Sequence, residues 1–170
     1  MKRLAALLLA LAVTSACGSA HTLTRSEYTQ QMQRFHEGAL RRAAGLWPAI
    51  LCHRYVERRE WLREARRALR ASDSGIDRLS ALRPPRDVAR AHARYLAFLR
   101  DDHRYLKELY DGVVAGTVAP AGATYRLSNP PSPLRRELGA ATTAFARAGI
   151  DVFGRTAAGW TGQPPKPPGC

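Results

Sequence analysis

The chain has 170 residues, 27 Lys and Arg against 14 Asp and Glu, a formal charge of +13 and three cysteines. That length suits one domain with a core of its own rather than several. The basic charge points toward anionic surfaces; nearly all of it is arginine, with lysine only at Lys2, Lys107 and Lys166, and an Arg/Ala bias of this kind also follows GC-rich coding, so part of the charge need carry no function.

The first element is an address. In "MKRLAALLLALAVTSACGSA", Lys2 and Arg3 are positive, residues 4–13 are apolar, and Thr14, Ser15 and Ala16 are small residues ahead of Cys17. A membrane span needs about 20 apolar residues, roughly twice this run, so the stretch reads as a secretory signal peptide and stays out of the fold. Small residues before a cysteine resemble the lipobox of bacterial lipoproteins. The resemblance implies that the thiol of Cys17 is acylated, that the signal (1–16) is cut just before it, and that residues 17–23 form a tether. Ser15 and Ala16 fit the pattern; Thr14 stands where that family usually has Leu. Each buried methylene contributes about 0.8 kcal/mol, and two chains hold a protein on a bilayer where one does not. The other reading is ordinary cleavage after Ala20, with Cys17 discarded. The expected location is the extracytoplasmic face of the cell membrane. The expected partners are the bilayer through the lipidated N-terminus, anionic lipid or wall polymers, or an envelope protein, and no nucleic acid.

A helical domain is expected over 24–154. Thr24 and Glu27 form a T-x-x-E capping box, so a helix should start there. Leu40, Ala44, Trp47, Leu51, Tyr55, Leu62, Ala65 and Leu69 keep one helical face. Gly45 and Pro48 interrupt it, and Pro48 either kinks the helix or separates two of them near Trp47. Trp47 reads as core and Trp61 as flanking the stripe. "SDSG" at 72–75 reads as a second break, followed by a short helical piece with Ile76, Leu79 and Leu82. "RPP" at 83–85 is the strongest punctuation, with Pro85 suited to open the next helix. That helix carries Val88, Ala91, Tyr95, Leu99, Leu106, Leu109, Tyr110 and Val113 on one stripe. "GTVAPAGATYRLSNPPS" at 116–132 reads as a loop. Ser132–Pro133 then starts a last helix, with Leu134, Leu138, Ala141, Phe145, Ala148 and Val152 on its stripe, and Gly149 either ends or bends it. No segment alternates like a strand. The fold class is all-α, an antiparallel bundle of three to four helices, with a disordered Pro-rich tail over 155–170.

These landmarks together resemble a group of uncharacterised small exported lipoproteins of high-GC Gram-positive bacteria. Many of those open with L-S-K-A-E-[YF], carry L-x-x-L-x-P-P in the middle and end their last helix on A-x-x-L-G. Here the opening matches at Leu23, Glu27 and Tyr28, the centre at Leu79, Leu82, Pro84 and Pro85, and the end at Ala148 and Gly149. Those proteins often pair a cysteine early in the first helix with one after the final glycine, where this chain has His36 and Phe153. The resemblance implies architecture and no activity.

With Cys17 lipidated, Cys52 and Cys170 remain, and outside the cytoplasm such a pair can form a disulfide. Closing a loop of on the order of 100 residues stabilises by up to about 4.7 kcal/mol in the chain-entropy view. The tail "TGQPPKPPGC" either reaches back to make that bond or dangles.

The densest charge lies in "RYVERREWLREARRALR", residues 54–70. On a helical wheel Arg59, Arg63, Arg66, Arg67 and Arg70 fall together, beside Glu57, Glu60 and Glu64. Such a stripe can take phosphates or carboxylates bidentately, or it is a solvated face with Glu60–Arg63 and Glu64–Arg67 pairs giving a few tenths of a kcal/mol each. His92, Asp102 and His103 lie in or beside the stripe of the long helix and are weak metal candidates. Residues 92 and 103 are about 16 Å apart along a helix and share no ion without another segment, such as His36 or His53. The expectation is that Asp102 pairs with an Arg or His of the bundle, with Arg58 as the candidate. Motifs for metalloprotease, redox, haem, nucleophile-elbow or phosphate-loop chemistry are absent, and Asp101 and Asp102 point to different faces.

The chain is therefore read as a non-enzymatic binding or structural module of the envelope, with no cofactor. One rival is a small-ligand or metal carrier with a pocket between helices lined by His92, Tyr95, Asp102 and His103. The other is a wall-modifying enzyme whose carboxylates meet only in the fold.

Overall fold

A computed structural model describes residues 21–43 and 57–152, the side chains of 39–43 excepted. The described residues hold five helices and no strand: α1 (Arg25–Ala43), α2 (Arg58–Ser80), α3 (Ala89–Ala115), α4 (Pro120–Ser128) and α5 (Ser132–Arg147). The fold is all-α, a bundle of four helices with α4 as a short piece near one end. Trp47, Pro48, Cys17, Cys52, Cys170 and the Pro-rich tail lie outside the described residues.

The capping box starts α1 as the sequence requires. The Thr24 amide and hydroxyl both donate to Glu27 Oε2 at 2.8 Å, and the Glu27 amide donates back to Thr24 Oγ1 at 3.3 Å. Those donors, the Thr24 amide first, hold the Glu27 carboxyl below the usual range. Just upstream, the Leu23 amide donates to the Arg83 carbonyl at 3.0 Å, so the chain enters the bundle beside the "RPP" turn. We call this the leader end and the opposite pole the distal end.

The helices alternate in direction. Arg25 at the start of α1 meets the Ala148 carbonyl past the end of α5. Arg58 at the start of α2 meets Val113 and Val114 at the end of α3, and Arg100 of α3 reaches Ser80 at the end of α2.

Two expectations from composition are corrected. The "SDSG" stretch does not break α2, which runs through it to Ser80. Gly75 is buried against α1, and a Cβ there would stand 3.0 Å from Phe35 Cε2. The glycine serves a close helix approach, and burial outweighs its poor propensity. The Gly/Pro-rich stretch at 116–132 is not all loop, because residues 120–128 form α4. Pro120 opens it, where a missing amide hydrogen and a fixed φ cost nothing, and Ala123 and Thr124 are buried beneath it.

The "RPP" break stands where expected. Pro85 opens a turn, with the Val88 amide on its carbonyl at 3.0 Å, and α3 proper begins at Ala89 rather than at the proline. Gly149 ends α5 with φ +65°, and the Ile150 amide closes on the Phe145 carbonyl at 3.0 Å. Only a residue without a Cβ enters that left-handed region freely.

The core divides into two clusters strung along α3. At the leader end Tyr28, Met32, Leu79, Val88, Ala91, Tyr95, Leu96, Ala141, Phe145, Ile150 and Val152 pack together. At the distal end Trp61, Ala65, Leu109, Val113 and Ala123 pack together. Trp61 does not flank the stripe; it is the centre of the distal core, 1% exposed, with its indole N–H on Thr124 Oγ1 at 3.2 Å. No helix among the described residues is long and apolar enough to cross a membrane.

Candidate functional site

The arginine stripe of α2 separates into three kinds of side chain. Glu64, whose side chain is 14% exposed, accepts Arg63 Nε at 3.0 Å and an Arg67 terminal nitrogen at 2.9 Å, and Arg63 also stands 3.6 Å from Glu60. The Arg63 hydrogen bond comes first among the causes that hold the Glu64 carboxyl below its usual range. Arg66 folds across to α3, where its Nε and a terminal nitrogen donate to the Tyr110 hydroxyl at 3.0 and 2.7 Å with the guanidinium 5.8 Å from the ring centre. Arg59 and Arg70 are exposed and have no ion-pair partner among the described residues. Of the five arginines, these two offer open guanidinium groups to an outside anion.

The histidines and tyrosines form ties, not a ligand set. Tyr28 Oη lies 3.0 Å from His92 Nδ1 in the buried core, which joins α1 to α3, and the nearby Leu79 backbone partly offsets the burial that lowers His92. Tyr95 Oη lies 3.5 Å from His36 Nδ1, and the rings of Tyr28, Phe35, His36, Tyr95, Phe98 and Phe145 contact one another edge to face or stacked. These rings fill the space where a carrier pocket at His92 and Tyr95 was expected. Burial pushes His36 down to about 4 and lowers His92, and it raises both phenols.

His103 does not join His92. Its Nε2 stands 3.3 Å from Asp73 on α2, and its buried Nδ1 has no hydrogen-bond partner among the described residues. The same residues bring together no group of three His, Cys, Asp or Glu able to hold a metal. Asp102 does not pair with Arg58. Arg58 instead donates Nε to the Val113 carbonyl at 3.1 Å and a terminal nitrogen to Val114 at 2.8 Å. The reason is position: Arg58 opens α2 at the distal end, level with the end of α3, while Asp102 sits about 16 Å back along α3. There the guanidinium covers carbonyls at the negative pole of a long helix. Asp102 itself is exposed, and its crowded surroundings push its carboxyl up to about 6 against the pull of His103. Solvent contact limits that push.

A polar groove of about 440 Å³ opens at the leader end along Arg25, Ser26, Gln30, Gln33, Gly149 and Ile150. Its side chains are committed to helix ends: Arg25 to Asp87 at 3.1 Å and to the Ala148 carbonyl, and Gln33 to the Asp151 carbonyl at 3.1 Å.

One feature escaped the reading of the sequence. Arg86 in the turn before α3 and Arg90 and Arg94 in its first turns recur every four residues, with Ala93 and Ala97 between and after them, and all are exposed. No acid lies between Val88 and Asp101, and the three arginines have no ion-pair or hydrogen-bond partner among the described residues. The i, i+4 spacing is visible in the sequence, whereas the openness of these arginines depends on which others the fold has already paired. Comparison with known proteins finds no matching family model, no matching curated protein and no matching solved structure.

Proposed function

We propose that this chain is an exported lipoprotein, anchored at the extracytoplasmic face of the cell membrane through Cys17, and that it acts there as a non-enzymatic binding module. Its distal α2 face contacts an anionic wall polymer through Arg59 and Arg70. The observation that carries this reading is the pair of open guanidinium groups on a face whose other arginines are already satisfied. Position favours polymer over lipid. Arg59 lies about 31 Å and Arg70 about 15 Å along α2 from Ser80 at the leader end. An upright bundle therefore holds Arg59 farthest from the bilayer, with Arg70 at mid-height on the same face. The non-enzymatic reading is supported by how the buried polar groups are used: Tyr28 with His92, Trp61 with Thr124 and Arg58 with the α3 carbonyls each hold one helix to another.

The test is co-sedimentation of the chain with purified cell walls across a salt series. The expected result is binding that weakens steeply with salt, is lost in the Arg59→Gln/Arg70→Gln double variant and persists in Arg63→Gln/Arg67→Gln. Equal loss in both variants would contradict the assignment.

A further inference from the structure

We infer that the outer face of the first half of α3, formed by Arg90 and Arg94 together with Arg83 and Arg86 of the turn that leads into it, docks on the anionic headgroups of the bilayer that holds the tether. This rests on the anchoring reading above and concerns a different surface from the α2 face.

Three observations lead to it. The first is the point of attachment. The Leu23 amide is fixed to the Arg83 carbonyl at 3.0 Å, and Leu23 is six residues from Cys17, a reach of at most about 22 Å. The arginine at the root of the tether thus belongs to the same patch. The second is sign. Residues 83–100 contain five arginines and a single acid, Asp87, and Asp87 is engaged by Arg25 at 3.1 Å. The third is surface chemistry. Arg86, Arg90 and Arg94 are exposed, and the positions between them on that face are Ala89, Ala93 and Ala97, also exposed. Alanine keeps the helix surface low, so the guanidinium groups can approach a plane together. On α2, by contrast, Glu60 and Glu64 capture Arg63 and Arg67, which leaves only Arg59 and Arg70 open there.

The placement also opposes the field of the helix. Arg86 and Arg90 stand at the N-terminal pole of α3, where positive charge is disfavoured, and the first turn contains no acid. Phosphate from outside meets both the guanidinium groups and that pole. A basic residue near an anionic surface strengthens binding roughly five-fold, so three together give roughly a hundred-fold, and more for a chain held within tether range. Because this patch lies at the end where the tether enters, the contact is compatible with an upright bundle whose distal α2 face stays toward the wall.

The experiment uses the full chain, unacylated, sedimented with vesicles of phosphatidylcholine alone and of phosphatidylcholine with phosphatidylglycerol, across a salt series. The leader, with Lys2 and Arg3, is common to every variant, so its contribution cancels when each variant is compared with the wild type at both compositions. The expected result is a phosphatidylglycerol preference that falls about a hundred-fold in Arg86→Gln/Arg90→Gln/Arg94→Gln and is unchanged in Arg59→Gln/Arg70→Gln. Because a triple variant can disturb folding, Ala93→Glu/Ala97→Glu supplies a second arm that keeps every arginine, and it should weaken the preference as well. An unchanged preference in both α3 variants, or none in the wild type, would overturn the inference. Anchoring is read separately, by mass spectrometry of the N-terminal peptide of the chain taken from cells, which should begin at an acylated Cys17. An unacylated or absent Cys17 would overturn the anchor and leave the vesicle result legible by itself.

Discussion

The leader-end and distal cores solve the same packing problem with different materials. At the leader end eleven buried residues from all four bundle helices share the work, among them Tyr28, Tyr95 and Phe145, and a buried Tyr28–His92 hydrogen bond ties α1 to α3. The distal core has five buried residues, and Trp61 is the one large ring among them, surrounded by alanine, valine and leucine. A core built from many rings spreads the cost of losing any one, whereas a core built on a single indole does not. The leader-end core also buries two histidines away from water, and no histidine is among the residues of the distal cluster.

The largest expected effect follows from that contrast. Trp61→Ala removes the indole and leaves Thr124 without its donor, so it should cost about 5 kcal/mol, near the top of the range for such truncations. Phe145→Ala, cushioned by Tyr28 and Tyr95, should cost about 3 kcal/mol. Urea denaturation of both variants checks this, and a greater loss from Phe145→Ala would break the comparison.

Acid should act on the leader end next. Burial lowers His36 to about 4 and lowers His92, against about 6.5 in the unfolded chain. Their folded pKa values are depressed, so the unfolded state takes up protons first as pH falls. Stability should therefore be intact above about pH 6.5 and decline from there to about pH 4, by roughly 2–3 kcal/mol. Hydrogen exchange at pH 7.5 and 4.5, corrected for intrinsic rates, should show α1 amides losing protection and α4 amides keeping it. Equal loss would mean that α3 couples the two clusters into one unit.

Smaller substitutions sharpen the picture. Tyr28→Phe leaves His92 Nδ1 without its partner in the core and should cost about 1–2 kcal/mol by thermal unfolding. Arg58→Ala uncovers the Val113 and Val114 carbonyls at the end of α3 and should cost about 1 kcal/mol. Glu64→Gln loosens Arg63 and Arg67 on the surface, and the same melts should register no more than a few tenths.

Much of this architecture was legible in the sequence because it depends on local rules. The Thr24–Glu27 box, the "RPP" turn, Gly149 and the 3.6-residue stripe of α3 all stand where chain-local chemistry puts them. The Glu60–Arg63 and Glu64–Arg67 pairs also obey helical spacing and were legible for that reason. What escaped depends on contacts between distant residues. Gly75 looks like a breaker until Phe35 is placed against it. The Pro/Gly-rich stretch before Ser128 looks like loop until Trp61 is seen to cover Thr124. Arg66 meets Tyr110 from 44 positions away, and Arg58 meets Val113 from 55; neither spacing has a sequence signature. Once such contacts satisfy some arginines, the ones that remain open differ from those that charge density picks out.

The most direct test crosses the two arginine faces with two anionic surfaces. The Arg59→Gln/Arg70→Gln and Arg86→Gln/Arg90→Gln/Arg94→Gln variants are each sedimented with purified walls and with phosphatidylglycerol vesicles at matched salt. The account expects the first to lose walls and keep vesicles, and the second to lose vesicles and keep walls. If both variants weakened both surfaces alike, in proportion to the charge removed, the arginines would act as a total and not as two faces, and the central claim would be wrong.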